Sequence, residues 1–307
     1  MHRFSAAAAL ALGAAPMASA QTDTYLLPLG GAVEMGLGWA NTTARGAGSL
    51  LSTPAAAAGA EREVAVSVMR WSDGVPLTQG RLTAVFPLGT RLPFQPSIGV
   101  AAGGFVRDDA AGSFETVSRS EFFGGVTLAG VAGPLRLGVG VKGVRASYEE
   151  EIGGSSSASG VTVDAGLQAH FAQSALVVGL ALRHFGGTSS GVVRAEPPSE
   201  IGVGASWQAL TIQSEDGGAP LARVHLVGEV QEGSIRETTA NAGVEVVGFD
   251  RFAARIGRVT PLGNSNADPS WTFGLGYTQD RFRADVAVRP SPLGNDAALL
   301  LTVASRF

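Results

Sequence analysis

From residue 63 to the end of the chain, apolar side chains alternate with small or polar ones at a period of two. The alternating segments are close to the nine to eleven residues of a tilted membrane strand, and no helical period competes with them. Trp271, Phe273, Leu275 and Tyr277 stand on one face, with Thr272, Gly274, Gly276 and Thr278 on the other. Phe282, Ala284, Val286 and Val288 likewise oppose Arg283, Asp285, Ala287 and Arg289, and Val161, Val163, Ala165 and Leu167 oppose Thr162, Asp164, Gly166 and Gln168. Such a chain must pair its strands into a sheet with two chemically different faces.

A soluble β-sandwich also has one apolar and one wet face. Three features favour a membrane barrel. The polar face is built of glycine, serine and threonine, as at Ser97, Gly99 and Gly103 or Gly138 and Gly140, and the 307-residue chain holds a single lysine, Lys142. Its 43 glycines are about twice the usual share. Aromatics gather near segment ends, at Trp71, Phe86, Phe171, Phe185, Trp207, Phe249, Trp271 and Tyr277, where interfacial girdles would place them. The chain also stops on Phe307, after Leu299, Leu301 and Val303 on one face, which resembles the insertion signal read by the barrel-assembly machinery.

Strands are predicted at 63–71, 77–87, 95–107, 116–131, 134–148, 160–171, 174–186, 199–210, 220–231, 237–248, 251–259, 270–279, 281–289 and 297–307. Fourteen is an even count, as a bacterial barrel with both termini on one side requires. The connections alternate in length as they should, with loops at 72–76, 108–115, 149–159, 187–198, 232–236, 260–269 and 290–296 on the outer side. The inner set is mostly tight, as at 132–133, 172–173, 249–250 and 280, with 87–94 and 210–219 as exceptions. The expected class is an all-β transmembrane antiparallel barrel of about fourteen strands.

Residues 1–20 read as a signal peptide: His2-Arg3, an Ala/Leu run, then Ala18-Ser19-Ala20 before Gln21. The absence of cysteine excludes a thiol-acylated lipoprotein, a disulfide scaffold and a Cys-ligated metal. With 22 basic against 26 acidic residues and no basic run, nucleic acid is not an expected partner. Residues 21–62 differ from the rest in being apolar, rich in glycine and not alternating, with an alanine run at 55–58. Such a segment is poorly solvated if left free, so it is expected to form a hatch inside the barrel of residues 63–307.

Leu27-Pro28-Leu29-Gly30-Gly31-Ala32-Val33-Glu34-Met35-Gly36-Leu37-Gly38, Ala44-Arg45-Gly46-Ala47-Gly48 and Thr53-Pro54-Ala55 together resemble the N-terminal hatch of the FadL superfamily, particularly its PorV/PorQ branch. Asp285-Val286-Ala287-Val288-Arg289-Pro290-Ser291-Pro292-Leu293-Gly294-Asn295 is similar to that branch's closing hairpin. One departure is Ser52-Thr53-Pro54-Ala55, which lacks the family's aromatic residue and its Asn before Pro-Ala. The resemblance implies an outer-membrane barrel that takes up an apolar or amphipathic molecule past its hatch, with Gly46, Gly48 and Pro54 as the hatch's punctuation. The alternative is a secretion-associated barrel that binds, shuttles or anchors exported proteins, and a purely structural barrel or an outer-membrane hydrolase comes third. Its partners would be outer-membrane lipid, the assembly machinery through the C-terminal strand, and a hydrophobic ligand or an exported protein.

No enzyme is expected. Gly138, Gly140 and Gly143 fit a dinucleotide-binding spacing, but inside a strand with no helix to follow. Gly187-Thr-Ser189-Ser-Gly191 fits a nucleophile elbow only on paper, lying in a Gly/Ser loop, and Asn41-Thr42-Thr43 is a glycosylation sequon without a eukaryotic context. The histidines lack ligand spacing, so no cofactor or metal is implied. Arg136, Lys142, Asp164, His170, Arg223, His225, Glu229, Glu245, Arg251, Arg255, Arg283, Asp285 and Arg289 share the polar phase. On the lipid face each charge would cost about 2 to 4 kcal/mol near the midplane, so their common phase points them into the lumen. There they either pair with one another or line a path around the hatch.

Overall fold

The computed structural model describes residues 30–71, 77–89, 94–111, 115–150, 154–185, 199–215, 218, 220–233, 238–263, 268–290 and 297–307. The signal-peptide segment, the first hatch residues, the Gly187 to Gly191 motif and most of the outer connections lie outside the described residues.

Fourteen strands form one closed antiparallel barrel. They are β1 (Glu63–Trp71), β2 (Leu77–Pro87), β3 (Phe94–Ala111), β4 (Glu115–Ala132), β5 (Leu135–Glu150), β6 (Gly154–Phe171), β7 (Leu176–Phe185), β8 (Glu200–Ile212), β9 (Ala222–Gly233), β10 (Thr239–Gly248), β11 (Phe252–Pro261), β12 (Ser270–Gln279), β13 (Phe282–Pro290) and β14 (Ala297–Arg306). Each pairs with its sequence neighbours, and β1 meets β14 from Glu63↔Arg306 to Trp71↔Ala298, so no edge is left open.

The period-two pattern sorts side chains as its chemistry demands. Val139 and Val141 on β5 are about half exposed on the outside, while Lys142 and, beside it on β6, Asp164 are buried within. Nothing but lipid would meet the outward row, and a charge there would lose its hydration without a partner.

Two hairpins differ from the sequence expectation. Pairing of β3 with β4 runs on to Ala111↔Glu115, and that of β5 with β6 to Glu150↔Gly154, so most of the loops expected at 108–115 and 149–159 is strand. Asp108, Asp109 and the serines 155–157 read as loop because they are polar. Beyond the apolar band, however, a ladder needs backbone hydrogen bonds and not apolar side chains. These four strands reach 16 to 18 residues, against 9 to 13 in the rest, so the wall is taller on one side.

Two bulges change the phase. Between β8 and β9 the register shifts at Gln208/Leu210, which carries Trp207 before it and Leu210 and Ile212 after it to the outside. β8 then runs on to Ile212, two residues past the expected end at 210, and β9 starts at Ala222. Between β6 and β7 it shifts at Val163/Ala165, where His184 adopts φ +58° and its N–H donates to Asp164 Oδ1 at 2.8 Å. Arg183 and His184 are both buried as a result, and Phe185 faces out.

The described part of the hatch lies inside this wall. It comprises a short helix, α1 (Ala32–Gly36), and two 3-10 turns, Ala47–Ser49 and Pro54–Ala57. Ala47, Leu50, Leu51, Ala57 and Ala58 pack on Ala65, Val85, Ala101, Ala129 and Ala304 of the wall. Ala32, Met35 and Trp39 pack on Met69, Phe105, Ala287, Ala298 and Leu300. The core of the molecule is therefore the contact between hatch and lumen.

Candidate functional site

The hatch is short of internal structure, so its backbone polar groups must find partners on the wall. Ala32 N–H donates to Thr302 Oγ1 at 2.9 Å and Gly38 N–H to Thr272 Oγ1 at 3.0 Å. Ala47 N–H reaches Glu63 Oε1 at 3.0 Å, and Ser97 Oγ donates to the Ala57 carbonyl at 2.7 Å. Gln168 donates its amide to the carbonyls of Thr42 (3.0 Å) and Ala44 (2.9 Å). Each wall residue here is polar and inward-facing, which is why the alternating phase holds small hydroxyl residues.

Arg183 and Glu229 form the centre of this seat. The Arg183 guanidinium donates to the Ser52 carbonyl, to Asn41 Oδ1, to Thr42 Oγ1 (3.4 Å) and to Glu229 Oε1 (3.1 Å), with Glu200 at 3.6 Å. The other Glu229 oxygen accepts the N–H groups of Asn41 (2.6 Å) and Thr42 (2.8 Å). Both side chains are almost wholly buried, at 2% and 1% exposure, so neither charge has water to fall back on. Lys142 pairs with Asp164 at 2.6 Å and reaches the Leu51 carbonyl at 3.5 Å. Because Asp164 also takes the bulged His184 amide, the wall irregularity at β6 and β7 and the hatch share one polar network.

Glycine supplies the remaining fit. A Cβ on Gly257 would stand 2.1 Å from Gly38 N, and one on Gly138 2.4 Å from the Pro54 carbonyl carbon, so the hatch backbone lies directly on the wall backbone at both places. Gly166, Gly179 and Gly243 are similarly filled by Thr53, Thr42 and Leu37. Much of the glycine excess on the lumen face is the hatch's footprint.

The residues singled out from sequence fall into distinct settings. Gly46, at φ +86°, opens the turn at Ala47–Ser49, and a Cβ there would meet Glu63 Oε1 at 2.9 Å. Gly48 is buried, 3.7 Å from Arg283 by the same measure. Pro54 starts the second turn, against Gly138 and Gly140. Asp164 and Glu229 hold the hatch, whereas Arg255 bonds to Glu245 (2.5 Å) and Asp285 (2.9 Å), with Arg283 also 2.9 Å from Asp285. That cluster fills the lumen with charges paired among wall residues. Arg223 pairs with Asp250 at the barrel end, half-exposed, and His225 lies on β9 opposite Glu245 and Gln208. Arg251 stands in the turn before β11, exposed, one residue short of the predicted strand position. Arg136 and His170 face inward at the tight-turn end, and His170 meets Arg45. Phe307 follows β14, more than half exposed and 6.3 Å edge-on to Phe86.

Sequence reasoning did not single out Arg183, Gln168, Glu34 or Arg81, the last of which donates to the Gly30 carbonyl of the hatch. Arg183 shares its phase with Val177, Gly179 and Ala181 and so was visible in principle as a lumen charge. Glu34, whose carboxylate accepts Gly31 N–H at 2.7 Å and the Ser49 hydroxyl, gave no such signal, because the hatch has no period. A groove of about 590 Å³ bounded by Val246, Phe252, Leu275, Tyr277 and Leu301 lies on the outward face, where it meets lipid and not the hatch.

No family model matches the chain, and no curated protein matches it in sequence. Solved structures do. A deltaS2S3 mutant of the monoaromatic hydrocarbon channel TodX superposes with a TM-score of 0.63 at 13% identity, covering 92% of this chain and all of that one. The monoaromatic hydrocarbon channel CymD gives 0.62 at 13% identity over 92% of this chain and 98% of its own. A Pseudomonas aeruginosa FadL homologue gives 0.54 at 12% identity over 92% and 99%. This chain thus shares its closed-barrel fold with solved hydrocarbon channels and a FadL homologue.

Proposed function

We propose that the protein is an outer-membrane channel that passes hydrophobic or amphipathic small molecules around or beneath its hatch. The observation carrying this reading is the hatch's mode of attachment. It is non-covalent, made through a limited set of buried polar anchors, of which Arg183 and Glu229 are the chief pair. A plug held this way blocks the lumen at rest and can shift without unfolding the barrel, whose ladder closes independently of it. The similarity to hydrocarbon channels supports the same class of passenger. Export by the segment 1–20, and recognition of β14 with Phe307 by the barrel-assembly machinery, belong to this reading, which assigns the protein no chemical reaction. Placement in the PorV/PorQ branch rests on the sequence motifs at 27–38, 44–48 and 285–295.

The test is mass spectrometry of organic extracts from the detergent-purified barrel, beside an unrelated barrel from the same membrane. Enrichment of an apolar or acyl species is expected and would name the passenger class. Retention of exported proteins on the barrel, with no enriched small molecule, would overturn passage in favour of a secretion role.

A further inference from the structure

One cluster at the tight-turn end of the lumen is not absorbed by the anchoring network. Gln168 fixes the hatch carbonyl of Ala44, and two residues along the same face of β6 the next hatch side chain, Arg45, places Nη2 2.6 Å from His170 Nδ1. A guanidinium has no acceptor, so Arg45 donates and the imidazole nitrogen receives. Arg136 pairs with Gln168 across β5 and β6, which makes His170 its diagonal neighbour on the inward face, within reach of a long side chain. The Arg136 guanidinium also closes the gap beneath the hatch at Gly59, where an added Cβ would stand 3.6 Å from Cζ.

Two guanidiniums, one from the hatch and one from the wall, therefore converge on His170 where hatch and wall touch. Neither has a carboxylate partner among the described residues, although Arg183, Lys142, Arg255 and Arg283 each have one. Arg45 is exposed and Arg136 half-buried, so the pair opens to solvent at the mouth. Two like charges brought together from separate elements, neither facing a carboxylate, are relieved by an anion between them, and planar guanidiniums suit an oxyanion best.

We propose that Arg45, Arg136 and His170 form an oxyanion site at the tight-turn mouth of the lumen, taking a carboxylate or phosphate group. Its occupant is either the charged head of an amphipathic passenger leaving the hatch or a free oxyanion. The first source rests on the channel reading above; the site itself does not. Since Arg45 belongs to the hatch and Arg136 and His170 to the wall, occupancy also ties hatch to wall at this point.

The experiment is calorimetric titration of the full-length barrel in detergent with octanoate, octanol and inorganic phosphate, repeated on Arg45→Gln and Arg136→Gln. Barrel integrity of each variant is checked by its heat-modifiable gel mobility. The expected result is that octanoate binds about tenfold more tightly than octanol and that either variant removes the difference, the loss of one charge-assisted contact being of that size. Phosphate binding that is lost in the same variants, without a preference for octanoate, supports the site and identifies a free oxyanion as its occupant. Equal binding of octanoate and octanol with no phosphate binding overturns the oxyanion site while leaving the channel reading intact. Absence of all three overturns both. As an independent readout, the His170 imidazole nitrogen resonance should move on phosphate addition, and a shift unchanged in Arg136→Gln would count against the assignment.

Discussion

Arg183 shows how much a single buried side chain decides here. Its guanidinium serves three hatch residues and two wall carboxylates at once. Replacing it by Met should cost the docked hatch about 3 to 5 kcal/mol, because Glu229 would be left charged and buried without its partner. The check is limited proteolysis in urea: cleavage within residues 41–52 should begin at lower denaturant in Arg183→Met, while the barrel's gel mobility stays unchanged. Changing Glu229 as well should recover part of the loss, since the stranded charge is then gone. Arg255 offers the contrast, since its partners Glu245 and Asp285 are all on the wall, and Arg255→Met should leave hatch proteolysis as it is and lower only the barrel's melting temperature.

At the scale of elements, the seat depends on strands lacking side chains in particular places. Gly138 on β5 and Gly257 on β11 receive the hatch backbone, and any Cβ there collides with main chain that cannot swing away. Gly138→Val and Gly257→Val should therefore lift the hatch while barrel closure survives, seen as faster cleavage of residues 41–52 and raised ion conductance in planar bilayers. Gly80, where an added Cβ meets nothing, is the matched control and should change neither. Element boundaries were legible from sequence wherever strands cross the apolar band. They were not legible at the ends of β3 to β6, where Asp108 and the serines 155–157 look like loop but continue the ladder. The bulges at His184 and Leu210 were equally hidden, since each inserts a residue without altering composition.

As a whole, the molecule is two layers of different origin: a continuous hydrogen-bonded wall and a folded segment whose described part holds one short helix and two 3-10 turns. The wall closes through β1 and β14 without help from residues 30–62. Deleting residues 21–60 should thus leave a barrel that assembles and shows heat-modifiable mobility, with a large steady conductance in place of a closed lumen. Failure of that variant to assemble would mean that the hatch is needed to template the wall.

What the sequence determined alone was the wall. A side-chain period of two, an apolar row that must face lipid and polar residues that cannot leave fourteen strands little choice but to close with their charges inside, because the alternatives strand backbone or charge in hydrocarbon. The sequence also marked residues 21–62 as foreign to that pattern. Only the tertiary structure decided how the two fit. Which glycines form the footprint, and that Arg183 rather than Arg255 grips the hatch, depend on contacts between residues far apart in the chain. Residues 41 and 229, or 38 and 257, meet because the barrel curves them together, and no local periodicity carries that information.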